Sequence, residues 1–285
     1  MGASPACCQS MPSTIAGDSC HPHVRVAPYV TNGNALDRHA PAPGSGHARP
    51  GFATLAHMNY AIAPPAIPSL PITGSDQRFP IRRVFCIGRN YAEHAREMGA
   101  TVDKAAPMFF CKPADAVVSD GADVPYPQAT ADLHHEVEMV VALGAGGRDL
   151  TPDAAAALVW GYGVGLDLTR RDLQVQAKAK GHPWDVAKGF DHSAPVSALR
   201  PAGAAMVDAH TVLRLSVNGE PRQQATLGEM VHDVPHILAA LSTLFELKAG
   251  DLVFTGTPAG VAALQRGDRF HAELVGVAEL DGRIT

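Results

Sequence analysis

The sequence predicts an α+β, β-rich fold, and three observations carry that expectation. The 285 residues include 27 Gly and 23 Pro, too many breakers for a helical bundle and suited to a turn-rich β protein. Short apolar runs of strand character outnumber segments with helical period. Strands and helices do not alternate strictly, which disfavours a doubly wound parallel sheet.

Residues 1–57 hold two acidic residues, three Arg, no Lys, seven Pro and six Gly, without helical or strand period. Such a segment buries too little apolar surface to order itself, so it reads as a disordered extension. Its five His are scattered without ligand spacing. Met58 opens a stretch that looks like an ordinary beginning, so an over-called start is a further expectation for 1–57. Residues 58–80 read as a short N-terminal segment and 81–285 as the catalytic domain.

Within that domain, residues 83–87 form a strand ending at Gly88. Asn90 then caps a helix through residue 98, with Glu93 at the capping-box position. Residues 108–111, 116–118 and 136–143 are strands. Thr151-Pro152-Asp153 starts a helix with Pro in its first turn. Residues 162–168 form a strand running into Thr169, a cap for the next helix. Residues 212–217, Asn218-Gly219 and the residues from Glu220 onward make a hairpin with a two-residue turn. Asp233 caps an amphipathic helix with Ile237, Leu238, Leu241, Leu244 and Phe245 on one face. Residues 252–254 and 270–275 are further strands. No repeats occur.

Composition narrows the function classes. Hydrophobic residues are 46% and charged residues 18%, enough for a large core. The apolar runs fall far short of the roughly 20 residues of a membrane-spanning helix. The net charge is −5, from 23 Lys and Arg against 28 Asp and Glu, and no basic stripe is present to bind nucleic acid. The five cysteines, Cys7, Cys8, Cys20, Cys86 and Cys111, are odd in number and form no C-x-x-C pair. With no secretory signal pattern, a reducing cytoplasm is expected. Cys86 and Cys111 read as core thiols, since no basic neighbour activates them.

Chemistry concentrates in a few segments. In His134-His135-Glu136-Val137-Glu138, the two glutamates lie two apart on a strand and share a face, while Val137, Met139 and Val141 face the core. Adjacent carboxylates repel unless a cation or proton lies between them, and a hard divalent ion answers that need. A bare E-x-E is more often a solvated strand face. Asp167, at the end of the Gly-rich strand Gly163-Val164-Gly165-Leu166, suits a metal ligand or a helix cap. With the two glutamates it makes an all-carboxylate site that fits Mg²⁺ better than zinc.

His94 and Glu97 are three apart on a helix and so neighbours on one face. A carboxylate beside an imidazole raises its basicity, as a base acting on water requires, although surface His–Glu pairs are common. Lys188, among apolar residues, either neutralises a developing enolate or snorkels to the surface. Arg171 and Gln174 share a helix face beyond Asp167. The 255–260 loop, with Gly256 and Thr257, can cradle a carboxylate or be a plain turn.

In this order the segments resemble the fumarylacetoacetate hydrolase superfamily. The matching residues are Gly88-Arg89-Asn90-Tyr91, His94, Glu97, Lys112-Pro113, 132–138, 167–172, Lys188 with Phe190, 217–219, 250–251 and 255–258. The likeness spans roughly residues 80–285. Within the superfamily the chain is most similar to fumarylpyruvate hydrolases of aromatic (gentisate-type) catabolism, then to acylpyruvases. Asp-Leu-Thr-Arg-Arg-Asp and Thr-Gly-Thr-Pro-Ala-Gly-Val carry that closer match.

The resemblance implies a mixed β-sandwich roll, usually a homodimer, with Mg²⁺ or Mn²⁺ on Glu136, Glu138 and Asp167. It places His94 and Glu97 on a segment that closes over substrate. It assigns Lys188 to catalysis, and Arg89, Tyr91, Arg171, Gln174, Gly256 and Thr257 to the substrate pocket. Gly189 stands where relatives often have Ser, which implies a looser pocket around Lys188. The expected reaction is hydrolysis of an acylpyruvate, a small 2,4-dioxo acid, most closely fumarylpyruvate to fumarate and pyruvate. Decarboxylation of oxaloacetate, isomerisation or hydration of dienoic acids, and a non-catalytic metal- or carboxylate-binding module are the competing readings.

Overall fold

The computed structural model describes residues 60–99, 106–119 and 121–285. The expectations for residues 1–57 lie outside the described residues.

Ten strands frame the fold: β1 (Arg83–Gly88), β2 (Met108–Lys112), β3 (Val137–Leu143), β4 (Val159–Leu166), β5 (Arg200–Pro201), β6 (Val212–Val217), β7 (Glu220–Thr226), β8 (Asp251–Phe254), β9 (Arg269–Leu274) and β10 (Ala278–Arg283). Five α-helices join them: α1 (Ala92–Glu97), α2 (Pro152–Ala156), α3 (Arg171–Lys180), α4 (Asp185–Lys188) and α5 (Val234–Leu244). A six-stranded sheet runs β5-β4-β3-β8-β1-β2. Its β8–β1 pair is parallel and the others antiparallel, so the sheet is mixed. A four-stranded antiparallel sheet runs β7-β6-β9-β10.

Side-chain alternation explains how the sheets stack. Val137, Met139 and Val141 of β3 point into one core with Leu213, Leu215, Phe270 and Leu274 of the smaller sheet and Ile237, Leu238 and Leu241 of α5. Val140 and Ala142 point the other way, into a second core with Val84, Cys86, Phe254, Leu70 and Phe79. β3 is therefore buried on both faces, and it is the spine that carries the glutamates. This is the β-rich α+β fold expected from the strand count.

The hairpin at Asn218-Gly219 forms with both residues at positive φ, 54° and 83°, as a twisted two-residue turn requires. Thr151 and Asp233 cap α2 and α5 through their side chains. Four expectations need correction. Asn90 does not cap α1: Tyr91 holds that position without a side-chain bond, because the Asn90 amide is engaged elsewhere. Thr169 sits in a short strand and Arg170 precedes α3. Leu244, the last residue of α5, is exposed, while Leu241 and Ser242 in the same turn are buried. Cys111 is exposed on the edge strand β2, whereas Cys86 is buried. Among the described residues, no helix is long and apolar enough to cross a membrane.

Candidate metal centre and acid–base site

The β3–β4 pairing builds the centre. Val137 faces Leu166 and Glu138 faces Gly165 across the ladder, and the Asp167 N–H donates to the Glu136 carbonyl at 2.8 Å. Glu136 just before β3, Glu138 within it and Asp167 just after β4 therefore converge. Each offers a carboxylate oxygen, and these oxygens lie within 4.8 Å of one another, all buried. Oxygens sharing one hard cation at about 2.1–2.5 Å each are spaced like this. Gly165 is required here: a Cβ on it would lie 2.9 Å from both the Phe254 ring and the Pro195 carbonyl.

Three cations surround the carboxylates. The Arg171 guanidinium reaches Glu136 Oε1 at 2.5 Å. Lys188 Nζ bridges Glu136 Oε2 at 2.8 Å and Asp167 Oδ2 at 2.6 Å. Lys112, buried at the end of β2, places Nζ 2.7 Å from Asp167 Oδ1 and donates to the Leu168 and Lys188 carbonyls. Its approach to Asp167 Oδ1 is off the line of a hydrogen bond, so that buried oxygen has no directional partner.

The electrostatics divide unevenly. Burial would raise the Glu136 carboxyl, but Lys188 and Arg171 outweigh it and hold it well below the usual carboxylate range. Glu138 has no cation of its own, and its Oε2 accepts the Gly256 N–H at 2.6 Å. Burial, then Asp167 and Glu136, push its carboxyl well above the ordinary value. A buried carboxylate without a cation, beside an unpartnered Asp167 oxygen, is a donor set that fits a hard divalent ion.

Around this centre lies a cavity of about 30 Å³, lined by His94, Glu136, Glu138, Arg171, Gln174, Lys188 and Thr257, with Arg89 and Lys178 also on its wall. His94 Nδ1 is 3.2 Å from Glu97 Oε2, and the Glu97 carboxylate also accepts the Gly260 N–H at 3.2 Å. The expected His–Glu pair thus forms on α1, with His94 buried at the cavity. Gln174 accepts from Arg171 at 2.5 Å.

Two expected pocket residues stand elsewhere. Tyr91 is buried, does not line the cavity, and has a hydroxyl without a hydrogen-bond partner; burial, then Glu138, push its phenol up. Gly256 lies behind Glu138 and holds it through its N–H. A Cβ at Gly256, whose φ is 95°, would meet Asn90 Cβ at 2.6 Å. A Cβ at Gly189 would lie 3.1 Å from the Asp185 carbonyl and 3.2 Å from Pro113, and the adjacent Lys188 is pinned by two carboxylates.

Three structural residues escaped sequence reasoning. Lys112 gave no signal beyond its place in a motif. Asn90 donates to the His232 and Thr255 carbonyls at 2.9 and 2.8 Å and accepts from the His232 N–H, tying α1 to the loop after β8. Gln223 accepts from His135 Nδ1 and the Val137 N–H at 2.9 and 3.1 Å and donates to Thr257 Oγ1 and the Pro258 carbonyl at 2.8 and 2.7 Å. Its one detectable sign is a polar residue at an inward position of β7.

Residues 83–285 match the family described as Fumarylacetoacetate (FAA) hydrolase C-terminal. Fumarylpyruvate hydrolase from Pseudomonas aeruginosa, solved in complex with Mn²⁺ and pyruvate, is 48% identical, with a TM-score of 0.77 over 80% of this chain and 99% of that one. A putative fumarylpyruvate hydrolase from Burkholderia cenocepacia is 52% identical, with a TM-score of 0.74 over 80% and 98%. Oxaloacetate tautomerase YcgM of Escherichia coli (strain K12) is 45% identical over 191 residues, 67% of this chain and 87% of that protein.

Proposed function

Because this chain belongs to the fumarylacetoacetate (FAA) hydrolase family, we propose that it is a divalent-metal-dependent hydrolase of acylpyruvates, with fumarylpyruvate as substrate. The observation that carries this reading is the His94–Glu97 pair on the wall of the carboxylate cavity. Hydrolysis needs a base for water, and this pair supplies one. The identity to the fumarylpyruvate hydrolase of Pseudomonas aeruginosa supports the choice of substrate.

A divalent ion, Mg²⁺ or Mn²⁺, held by Glu136, Glu138 and Asp167 would polarise the 2-oxo acid end of the substrate as a Lewis acid. The remaining steps belong to the chain. Glu97 holds the ring proton on His94 Nδ1, which leaves Nε2 free to take a proton from water. The water oxygen bonds to the distal carbonyl carbon, and the adjacent carbon–carbon bond breaks. Its electron pair passes into the pyruvate enolate. Lys188 has three N–H donors and engages two on Glu136 and Asp167, so one remains for the enolate oxygen. The proton taken by His94 returns to the enolate carbon, giving pyruvate and fumarate. A cavity of about 30 Å³ admits about two waters and no seven-carbon acid, so its wall has to widen for substrate to enter.

The identity to YcgM favours a second reading, keto–enol tautomerisation of oxaloacetate, which uses the same enolate stabilisation without attack by water. One assay panel separates the two. Hydrolysis predicts Mg²⁺-dependent loss of fumarylpyruvate enol absorbance with stoichiometric pyruvate. Rapid oxaloacetate enol–keto exchange without pyruvate release from any acylpyruvate would replace the proposal with the second reading. The proposal includes a cytoplasmic homodimer, checked by light scattering of the purified chain.

A further inference from the structure

Inside the carboxylate centre the charges balance: Lys112, Lys188 and Arg171 face Glu136, Glu138 and Asp167. Two other cations on the cavity wall, Arg89 and Lys178, have no such partner. Among the described residues, neither side chain makes a hydrogen bond or an ion pair. The Lys178 ammonium instead lies 5.1 Å from the centre of the Trp184 ring. Burial, then Arg171 and Arg89, hold this ammonium below its usual value, which places the two free cations within each other's field.

Their position follows from the helix. Arg171, Gln174 and Lys178 occupy i, i+3 and i+7 of α3 and so share one face. A rise of about 1.5 Å per residue puts Lys178 about 10 Å along the axis from Arg171, away from the centre. Arg89 comes from the segment between β1 and α1 and has a left-handed φ of 61° beside the clamped Asn90. Phe110, Trp184 and Met108 supply apolar wall to the same cavity. A flat, short hydrocarbon chain suits that wall, and an anion at its far end suits the two cations.

We infer that Arg89 and Lys178 form a carboxylate-binding subsite that selects 2-oxo acids whose distal end also carries a carboxylate. The inference rests on the 2-oxo acid reading above. Such a subsite would favour dicarboxylic substrates over those with neutral acyl groups.

Calorimetric titration of the Mg²⁺-loaded protein with 2-oxoheptanedioate and 2-oxoheptanoate tests it, because these seven-carbon acids match fumarylpyruvate in length and differ in the tail carboxylate. Wild type binds 2-oxoheptanedioate at least about tenfold tighter, and Lys178→Met and Arg89→Met each bring the ratio below about threefold. Equal wild-type affinities, binding of neither acid, or an unchanged ratio in both variants overturns the subsite. In turnover, the kcat/KM ratio of fumarylpyruvate to acetylpyruvate falls at least about tenfold in Lys178→Met. If wild type cleaves neither acylpyruvate, the hydrolase reading falls, and the titration of the two 2-oxo acids still decides the subsite.

Discussion

Gln223→Leu should weaken the fold and the site together. Gln223 is 2% exposed, and its amide makes four hydrogen bonds, to His135, Val137, Thr257 and Pro258. At about 1 kcal/mol net for each neutral bond, the loss is about 4 kcal/mol. Leucine fills a similar volume and returns about 1–2 kcal/mol through its apolar surface. The expected net destabilisation is therefore about 2–3 kcal/mol, well inside the roughly 5–15 kcal/mol of a typical domain, so the variant still folds. Urea unfolding with an unchanged m-value reads this directly. The freed partners flank Glu136 on one side and form the Thr257 turn on the other, so kcat/KM should fall as well. A stability change below about 0.5 kcal/mol would refute the reasoning, because one orphaned buried N–H alone costs more.

His94→Ala should keep its calorimetric metal titration and lose about 10²–10⁴-fold in kcat; wild-type turnover of fumarylpyruvate would withdraw the base assignment. Glu138→Ala should weaken Mg²⁺ or Mn²⁺ binding, and an unchanged titration would remove Glu138 from the ligand set. Asp251→Ala should cost about 2–3 kcal/mol. Its fully buried carboxylate accepts from Arg82 and Arg83 at 3.0 Å each and from the Lys248 N–H at 2.9 Å, while both arginines retain access to solvent. Thermal unfolding of Asp251→Ala at the wild-type midpoint would contradict that estimate.

What was legible in the sequence was whatever repeats with a local period. Glu136 and Glu138 share a face because strand side chains alternate, and the structure places them so. His94 and Glu97 meet because helical neighbours lie three apart. Asn218-Gly219 and Asp233 announce a turn and a cap by their own chemistry. The site residues that the sequence did not reveal all have long-range partners. Asn90 has the composition of a cap, yet its amide bonds Thr255 and His232, more than 140 residues away, and no local rule reports that competition. Gln223 lies 86 residues beyond Val137 and looks like any polar strand residue. Lys112 is 55 residues before Asp167, and its burial follows only from the position of β2 beside β1.

The distribution of cations explains why three carboxylates, and not two, define the centre. Glu136 and Asp167 each have two cationic neighbours from the chain. Glu138 has a single backbone N–H and two anionic neighbours. Adding a fourth basic side chain would satisfy Glu138 but would fill the cavity and fix its charge permanently. A small divalent ion satisfies the same carboxylate and leaves coordination positions for a ligand. Lys188 need not leave when the ion arrives, since each carboxylate oxygen it touches has a second lone pair. In the proposed reading the lysine would thus be held between two ligands of the ion. In the proposed mechanism that contact would tie enolate stabilisation to the placement of Glu136 and Asp167, so displacement of either carboxylate should impair Lys188 as well as metal binding.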